Sequence, residues 1–304
     1  MKNVTIGQHL ISGGLSGFTG AIFLQPLDLL KTRLQQGDDA LKSKNTTVIW
    51  RTAQDVVRKE GLKGLWRGTG ATLVRNVPGV ALYMTGLTQL RAVMATSPYF
   101  TAVQQRQSLG VSNAPSVLPK LSSEGNLLAG ATARVGVGFF LNPFTVLKAR
   151  FESEMYAYRS LSGSLLSIMR MGPPELLRGF LASSLRDAPY AGLFVVFYEG
   201  IKRETSYFFP TVYAAGIHSF SAASAGAIAT MATHPFDVIK TKMQVRSEDR
   251  YRGFTSTVLR IWTQRGVLGF FDGASLRLTR KIFSSAIGWA VFEGMLLFMQ
   301  RPAS

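Results

Sequence analysis

Apolar residues are concentrated in six long segments of this 304-residue chain, and shorter polar stretches separate them. The six segments are 7–30, 70–95, 127–147, 182–201, 213–239 and 274–299. Each segment approaches or exceeds the roughly 20 residues that a helix needs to cross the hydrocarbon core of a bilayer. The pattern therefore predicts an all-α membrane protein with six transmembrane helices.

Three shorter segments place apolar residues at helical spacing among polar ones. They are 48–59, 161–171 and 254–264, and they predict amphipathic helices between the paired spans. Several of the six long segments also contain Arg, Asp or Glu, and such charges are more stable in a watery interior than in lipid. We therefore expect the spans to surround a polar cavity.

A proline-containing motif occurs three times. Its copies are Pro26-Leu-Asp28-Leu-Leu-Lys31, Pro143-Phe-Thr145-Val-Leu-Lys148 and Pro235-Phe-Asp237-Val-Ile-Lys240. A second, glycine-containing motif follows each copy and ends in Trp66-Arg67-Gly68, Leu177-Arg178-Gly179 and Phe271-Asp272-Gly273. A period of about one hundred residues predicts three helical hairpins. Their expected bounds are 1–97, 122–206 and 207–304, with a linker rich in Pro, Ser and Gln at 98–121.

The triplicated pair of motifs resembles the mitochondrial carrier family of solute transporters, and the resemblance covers nearly the whole chain. It implies three pseudo-symmetric two-helix repeats around a central cavity, with the short amphipathic helices on the matrix side. It also implies a multi-pass protein of the mitochondrial inner membrane that is complete as a monomer. A solute carrier of this kind is not an enzyme and has no cofactor.

The resemblance assigns the charges after the three prolines to a gate on the matrix side. A proline removes one helix hydrogen bond and bends the chain, so that three bent helices can converge at this end of the cavity. By the family pattern, Asp28 is expected to pair with Lys148, and Asp237 with Lys31.

Glutamine braces are expected beneath this gate, nine residues after each proline. Gln35 and Gln244 fit the family pattern, whereas the second repeat has Glu152. Lys240 lacks its usual carboxylate partner because Thr145 occupies that position. One hypothesis is that Glu152 partly compensates the charge of Lys240.

A second gate, on the cytosolic side, is implied by an aromatic-acid-x-x-base pattern on the even-numbered helices. The complete copy contains Tyr198, Glu199 and Lys202. In the degenerate copies Arg91 and Glu293 remain, and the family pattern pairs them in one bridge. Ordinary charges at helix ends are the alternative interpretation.

Three family contact points for substrate align with positions in the even-numbered segments. They carry Arg75, Arg186 beside Asp187, and Arg280 beside Lys281. An Arg–acid pair at the second point is typical of amino-acid carriers, because a guanidinium binds an α-carboxylate while a carboxylate binds the ammonium group. The alternative is that Arg186 and Asp187 neutralise each other.

Arg134 is a further candidate for the substrate site. It lies nine residues before Pro143, well inside an apolar segment. Facing lipid there would cost roughly 2.5–3.5 kcal/mol on insertion scales, so the side chain is expected to point inward. Two roles remain open: a structural partner in a neighbouring helix, or direct contact with the substrate.

Within the family, the chain most resembles the members that carry glycine for haem synthesis. This rests on the run at 26–35, on Thr145 and on Arg134 within Gly-Ala-Thr-Ala-Arg-Val-Gly. Alternative substrates are another small neutral amino acid, a basic amino acid, or a nucleotide-like cofactor, which Asp187 disfavours beside phosphate. A membrane scaffold without transport activity is the alternative from a different functional class.

Charge and composition exclude other classes. Lys and Arg exceed Asp and Glu by 34 to 17, but the basic residues flank the apolar segments, which suits anionic lipid, and cardiolipin is expected at the matrix-side helix ends. No nucleic-acid recognition motif accompanies the charge. The chain has no cysteine, and its three histidines are scattered, so no metal site is predicted. The first apolar segment begins almost at once, and we expect import to use internal signals.

Overall fold

The computed structural model describes residues 6–37, 46–97, 123–156, 158, 160–208 and 214–300, and these are almost entirely helical. The helices are α1 (Ile6–Gln36), α2 (Thr46–Glu60), α3 (Thr69–Ala95), α4 (Ser123–Glu152), α5 (Leu161–Arg170), α6 (Pro173–Leu176), α7 (Phe180–Phe208), α8 (Ala214–Ala232), α9 (His234–Val245), α10 (Phe254–Arg265) and α11 (Ala274–Gln300). The predicted all-α fold is confirmed. The expected linker at 98–121 lies outside the described residues.

The six apolar segments correspond to long helices, with one interruption. Five of them fall within α1, α3, α4, α7 and α11, while the fifth segment in chain order is divided between α8 and α9. The three amphipathic helices are confirmed as α2, α5 and α10, with ends within two residues of those predicted.

Proline acts differently in the three copies of the first motif. Pro26 and Pro143 lie inside continuous helices, α1 and α4. In the third copy α8 ends at Ala232, Thr233 forms a turn, and α9 begins at His234. Pro235 therefore lies in the first turn of α9, where its missing backbone N–H would have no helical partner in any case.

Hydropathy alone identifies fewer membrane spans than the repeat pattern does. One described helix, Leu127–Glu152, is long and apolar enough to cross a bilayer, with a mean hydropathy of 1.2, and Phe220–Ala232 is apolar but shorter. Charged residues such as Arg186 and Asp187 lie within the other long helices and lower their hydropathy. The expectation of six spans therefore rests on the repeats.

The glycines of the second motif share a special backbone conformation. Gly61, Gly68, Gly172, Gly179, Gly266 and Gly273 have φ between 58° and 91°. This region is strained for any residue with a Cβ atom. At Gly179 a Cβ would also lie 2.9 Å from Gln244 Cγ and 3.3 Å from the carbonyl oxygen of Lys240. The motif therefore requires glycine here for both conformation and space.

The chain divides into two compact units. The first contains Met1–Val77, Pro143–Gly179 and Val238–Ser304, and the second contains Pro78–Asn142 and Phe180–Asp237. In the first unit, Leu30 and Leu34 of α1 are buried against Leu276 of α11. Full burial of one such leucine contributes roughly 1.5–3 kcal/mol. In the second unit, α7 packs closely on α8, where a Cβ at Gly226 would lie 3.7 Å from the Phe194 ring.

Candidate substrate site and gates

Basic side chains in the first unit cap the carboxyl ends of α1, α4 and α9 in a cyclic order. The three bonds are Arg33 Nε to the Glu152 carbonyl at 3.3 Å, Arg150 Nε to the Gln244 carbonyl at 3.2 Å, and Arg246 Nε to the Gln36 carbonyl at 2.8 Å. Cations are favourable near the negative ends of helix dipoles. Each of these three helices is thereby tied to the next repeat.

Two glutamine side chains make equivalent bonds to the second motif. Gln35 Nε2 donates to the carbonyl of Asp272 at 3.1 Å, and Gln244 Nε2 donates to the carbonyl of Arg178 at 3.2 Å. Both acceptors immediately precede a positive-φ glycine of the second motif. These contacts connect the glutamine positions to a neighbouring repeat; their role as braces of a gate stays a prediction.

A third glutamine, which the sequence did not single out, replaces the missing amide at Glu152. Gln25 Nε2 donates to the carbonyl of Arg67 at 3.0 Å and to Glu152 Oε1 at 3.1 Å. The hydroxyls of Thr32 and Thr72 complete this group, donating to Glu152 Oε2 at 2.7 Å and to Gln25 Oε1 at 2.9 Å. The feature of the sequence that could have indicated this role is a polar glutamine inside an apolar segment, immediately before Pro26.

The contacts of Glu152 are with Gln25, Thr32 and Lys148, and its compensation of Lys240 stays a prediction. Within the described chain, the carboxylate of Glu152 accepts from Gln25 and Thr32 and lies 3.5 Å from Lys148 Nζ. These neighbours give each carboxylate oxygen of Glu152 a hydrogen-bond donor. Lys240 itself is buried.

Asp28 and Lys148 form the ion pair expected from the repeat pattern. Lys148 Nζ lies 2.7 Å from Asp28 Oδ2, and the two side chains are 13% and 9% exposed. Arg280 forms a second ion pair with Asp28. The expected Asp237–Lys31 pair would join the two units and stays a prediction.

Arg186 is engaged by two carboxylates of the second unit. Its Nε and Nη2 atoms donate to the two oxygens of Asp187 at 2.7 and 3.0 Å, and its Nη1 donates to Asp237 Oδ1 at 2.8 Å. The arginine is 16% exposed and Asp237 is 1% exposed, whereas Asp187 is 34% exposed. In this arrangement Arg186 and Asp187 neutralise each other, and Asp187 presents the more accessible charge.

The other predicted substrate residues lie in different surroundings. Arg75 Nε donates to Thr145 Oγ1 at 3.2 Å, so the residue that replaces the usual acid in the second repeat contacts a predicted binding residue. Lys281 is exposed on α11. The guanidinium carbon of Arg134 lies 4.9 Å from the centre of the Tyr83 ring. Arg75 and Lys281 belong to the first unit, and Arg134 belongs to the second.

The cytosolic-side residues are placed only in part. Lys202 Nζ lies 6.0 Å from the centre of the Tyr198 ring, and Glu199 is exposed. Arg91 Nε is buried and has no hydrogen-bond partner among the described residues. The side chain of Glu293 lies outside the described part of the chain, so the expected Arg91–Glu293 bridge stays a prediction.

Two acids outside the apolar segments show opposite electrostatic effects. Burial opposes ionisation of Glu60, but the hydrogen bond and charge of Arg33, at 2.5 Å, outweigh burial and lower the pKa of Glu60. At Asp272 burial dominates and raises the pKa, although Arg265 Nη1 lies 2.5 Å away. No cluster of acids and histidines suited to a metal ion occurs in the described ranges.

Long helices that carry prolines, arginines and acids inside apolar segments are typical of helical membrane transporters. The chain belongs to the mitochondrial carrier protein family, whose model matches residues 2–98, 120–207 and 213–303. It is accordingly a multi-pass protein of the mitochondrial inner membrane.

Several similar fungal proteins bear the name mitochondrial glycine transporter. One from Laccaria bicolor is 65% identical over 308 residues, covering 99% of each chain. One from Mycosarcoma maydis is 39% identical and covers 97% of this chain and 86% of its own, and one from Coccidioides immitis is 40% identical, covering 96% and 90%. Family and names indicate a transporter.

Proposed function

We propose that this protein imports glycine across the mitochondrial inner membrane by alternating access and so supplies haem synthesis. The observation that carries the proposal is 65% identity, over 99% of both chains, to a protein named mitochondrial glycine transporter. At this similarity over the full length we expect the substrate site to be shared.

The chemistry of the candidate site suits a zwitterion. The proposed substrate residues are Arg75, Arg134, Arg186, Asp187, Arg280 and Lys281. An arginine fork binds a carboxylate through two parallel hydrogen bonds, and a carboxylate such as Asp187 binds an ammonium group. Glycine presents both charges with no side chain between them, so recognition depends on the two ends of the molecule.

Transport requires that the two gates open in alternation. On the matrix side the proposed gate residues are Asp28, Lys31, Lys148, Asp237, Lys240, Gln35, Glu152 and Gln244. The Asp28–Lys148 pair supports this assignment because it joins α1 to α4, two helices from different repeats. Breaking such contacts would open the matrix side and allow release. Arg91, Tyr198, Glu199, Lys202 and Glu293 are proposed for the cytosolic-side gate.

The protein is proposed to act as a monomer with anionic lipid at its matrix-side helix ends. Three repeats at 1–97, 122–206 and 207–304, joined across the linker at 98–121, would close a bundle without a second copy. The basic excess of 34 over 17 residues favours anionic lipid, and cardiolipin is the proposed species.

Uptake of labelled glycine into liposomes containing the purified protein tests the proposal. Unlabelled glycine should compete strongly, while glycine methyl ester and N-acetylglycine should compete poorly because each lacks one charge. Equal competition by all three would contradict zwitterion recognition. Absence of uptake with folded, inserted protein would favour the scaffold alternative, and preference for lysine or for a nucleotide would replace the substrate.

A further inference from the structure

We infer that Tyr83 is a positioning residue, which holds the guanidinium of Arg134 across its ring so that the free edge of the guanidinium binds the carboxylate of the substrate. The inference rests on the proposed function, since it names the group that receives one end of glycine. It assigns the carboxylate to Arg134 rather than to Arg186. Tyr83 carries no charge and belongs to neither predicted gate.

The geometry of the contact supports a positioning role. Tyr83 lies on α3 and Arg134 on α4, and the guanidinium carbon lies 4.9 Å from the ring centre, within the range of a cation–π interaction. When a guanidinium stacks on an aromatic face, its N–H groups lie in its own plane and are not directed at the ring. The contact can therefore fix the side chain without occupying the donors that recognise a carboxylate.

Arg134 differs from Arg186 and Arg280 in its partners. Arg186 is bonded to two carboxylates, and Arg280 forms an ion pair with Asp28. Among the described residues no carboxylate lies within ion-pair distance of Arg134, whose contact is the Tyr83 ring. Its fork therefore receives a substrate carboxylate without first breaking an existing bridge.

The position of Arg134 in an apolar helix is not typical of an ordinary surface charge. It lies inside the one described helix that is apolar enough to cross a membrane, Leu127–Glu152, and the residue is exposed. A charge at such a depth is expected to face a water-filled interior rather than lipid. Facing that interior, Arg134 would be accessible to a small solute.

The turn before Arg134 is shaped to admit the tyrosine. Gly130 lies four residues earlier on α4 and therefore on the same face. A Cβ atom there would stand 3.9 Å from the Tyr83 hydroxyl. An alanine would fit at this distance, but a longer side chain would displace the ring. Gly136, on the same helix, has no neighbouring atom within 4 Å of a Cβ and offers a matched control.

Substitution of Tyr83 tests the inference through the KM for glycine. Loss of a cation–π contact corresponds to roughly 3- to 20-fold in affinity. We expect Tyr83→Leu to raise the KM by about that factor while the kcat falls less, because the charge of Arg134 survives but its orientation does not. Tyr83→Phe keeps the ring and should restore a KM within about twofold of the wild type.

Competition by glycinamide identifies the end of the substrate that is affected. Glycinamide keeps the ammonium group and lacks the carboxylate, so the wild type should strongly prefer glycine. If Tyr83 positions the carboxylate ligand, Tyr83→Leu weakens glycine binding and leaves glycinamide binding almost unchanged, and the preference falls by the same factor as the KM rises. A merely structural role would weaken both compounds equally.

Gly130→Leu provides a second route to the same effect without altering either partner. It should raise the KM for glycine and reduce the preference over glycinamide, whereas Gly136→Leu should do neither. The inference is overturned if Tyr83→Leu transports glycine with the wild-type KM and preference, or if both compounds weaken together. Failure of the wild type to carry glycine would instead reject the proposed function.

Discussion

At the scale of single residues, Arg186 and Asp187 have different predicted roles. Arg186→Ala would leave Asp187 and buried Asp237 without their shared counter-charge, and breaking a buried pair in this way costs about 3–5 kcal/mol. We therefore expect Arg186→Ala to lower the thermal unfolding midpoint as well as to abolish uptake. Thermal unfolding in detergent and liposome uptake measure the two effects.

Asp187→Asn separates binding from folding. Arg186 keeps its bond to Asp237, so the unfolding midpoint should stay near that of the wild type. Loss of the accessible carboxylate should nevertheless raise the KM for glycine more than tenfold, since the ammonium group loses its charged partner. An unchanged KM in stable Asp187→Asn protein would remove Asp187 from the substrate site.

The Asp28–Lys148 pair is predicted to act in the matrix gate. Asp28→Lys places a cation beside Lys148 and Arg280 and should severely reduce uptake. Adding Lys148→Asp restores opposite charges across the pair. Only partial recovery of uptake is expected, because the new acid lies near Glu152 and the new base lies near Arg280. The double mutant is compared with both single mutants for uptake and for membrane insertion. No recovery in correctly inserted protein would reject the pairing as a functional gate.

The sequence predicted which charged residues belong to the candidate site and gates, but it did not predict all of their contact partners. Asp28–Lys148 followed from the repeats, because equivalent positions in each copy have fixed relations. The bond from Arg75 to Thr145 and the stacking of Arg134 on Tyr83 join residues 70 and 51 positions apart in the chain. Such contacts depend on helix rotation and packing, for which the motif spacing gives no information.

At the scale of the helices, Gln25 is predicted to replace the glutamine missing from the second repeat. Gln25→Ala should lower the unfolding midpoint, because the Arg67 carbonyl and Glu152 both lose a hydrogen-bond donor. The equivalent Gln35 and Gln244 donate to the same position of the second motif. Adding Glu152→Gln to Gln25→Ala should therefore recover part of the midpoint, since an amide returns to this position.

The control is Glu152→Gln alone, which keeps Gln25 but weakens the contact with Lys148. Midpoints measured for the wild type, both single mutants and the double mutant form a complete thermodynamic cycle. Strictly additive losses would show that residue 152 cannot substitute for Gln25. A favourable coupling would support the equivalence of the three repeats at this contact.

Helix positions were predicted well because period and length are local properties of the sequence. The amphipathic helices α2, α5 and α10 begin and end within two residues of their expected bounds. The division between α8 and α9 was not predicted, since all three copies of the motif contain proline and only the third interrupts the helix. His234 and Thr233 are both buried at this break, so tertiary packing rather than proline alone determines where the helix ends.

At the scale of the whole molecule, the gates are predicted to be unequal. On the matrix side Asp28 already pairs with Lys148 and Arg280. On the cytosolic side Glu199 is exposed. Thr88 and Leu296 occupy charged positions of the family pattern, and the expected bridge is Arg91 with Glu293. Fewer bridges give a lower barrier to reopening without substrate, because each bridge must break for the gate to open.

We therefore expect net uptake of glycine into liposomes that contain no amino acid. A carrier whose empty form reopens readily does not need a counter-substrate for its return. Preloading should therefore raise the initial rate of uptake by less than about threefold. This corresponds to a change of under about 1 kcal/mol in the return barrier. Introducing Leu296→Lys would supply a base that Glu199 lacks in the family pattern and should increase the dependence on preloading. If the wild type takes up glycine only when the liposomes are preloaded with amino acid, the weak cytosolic gate is contradicted. If Leu296→Lys converts net uptake to exchange, the cytosolic gate is the element that sets the transport mode.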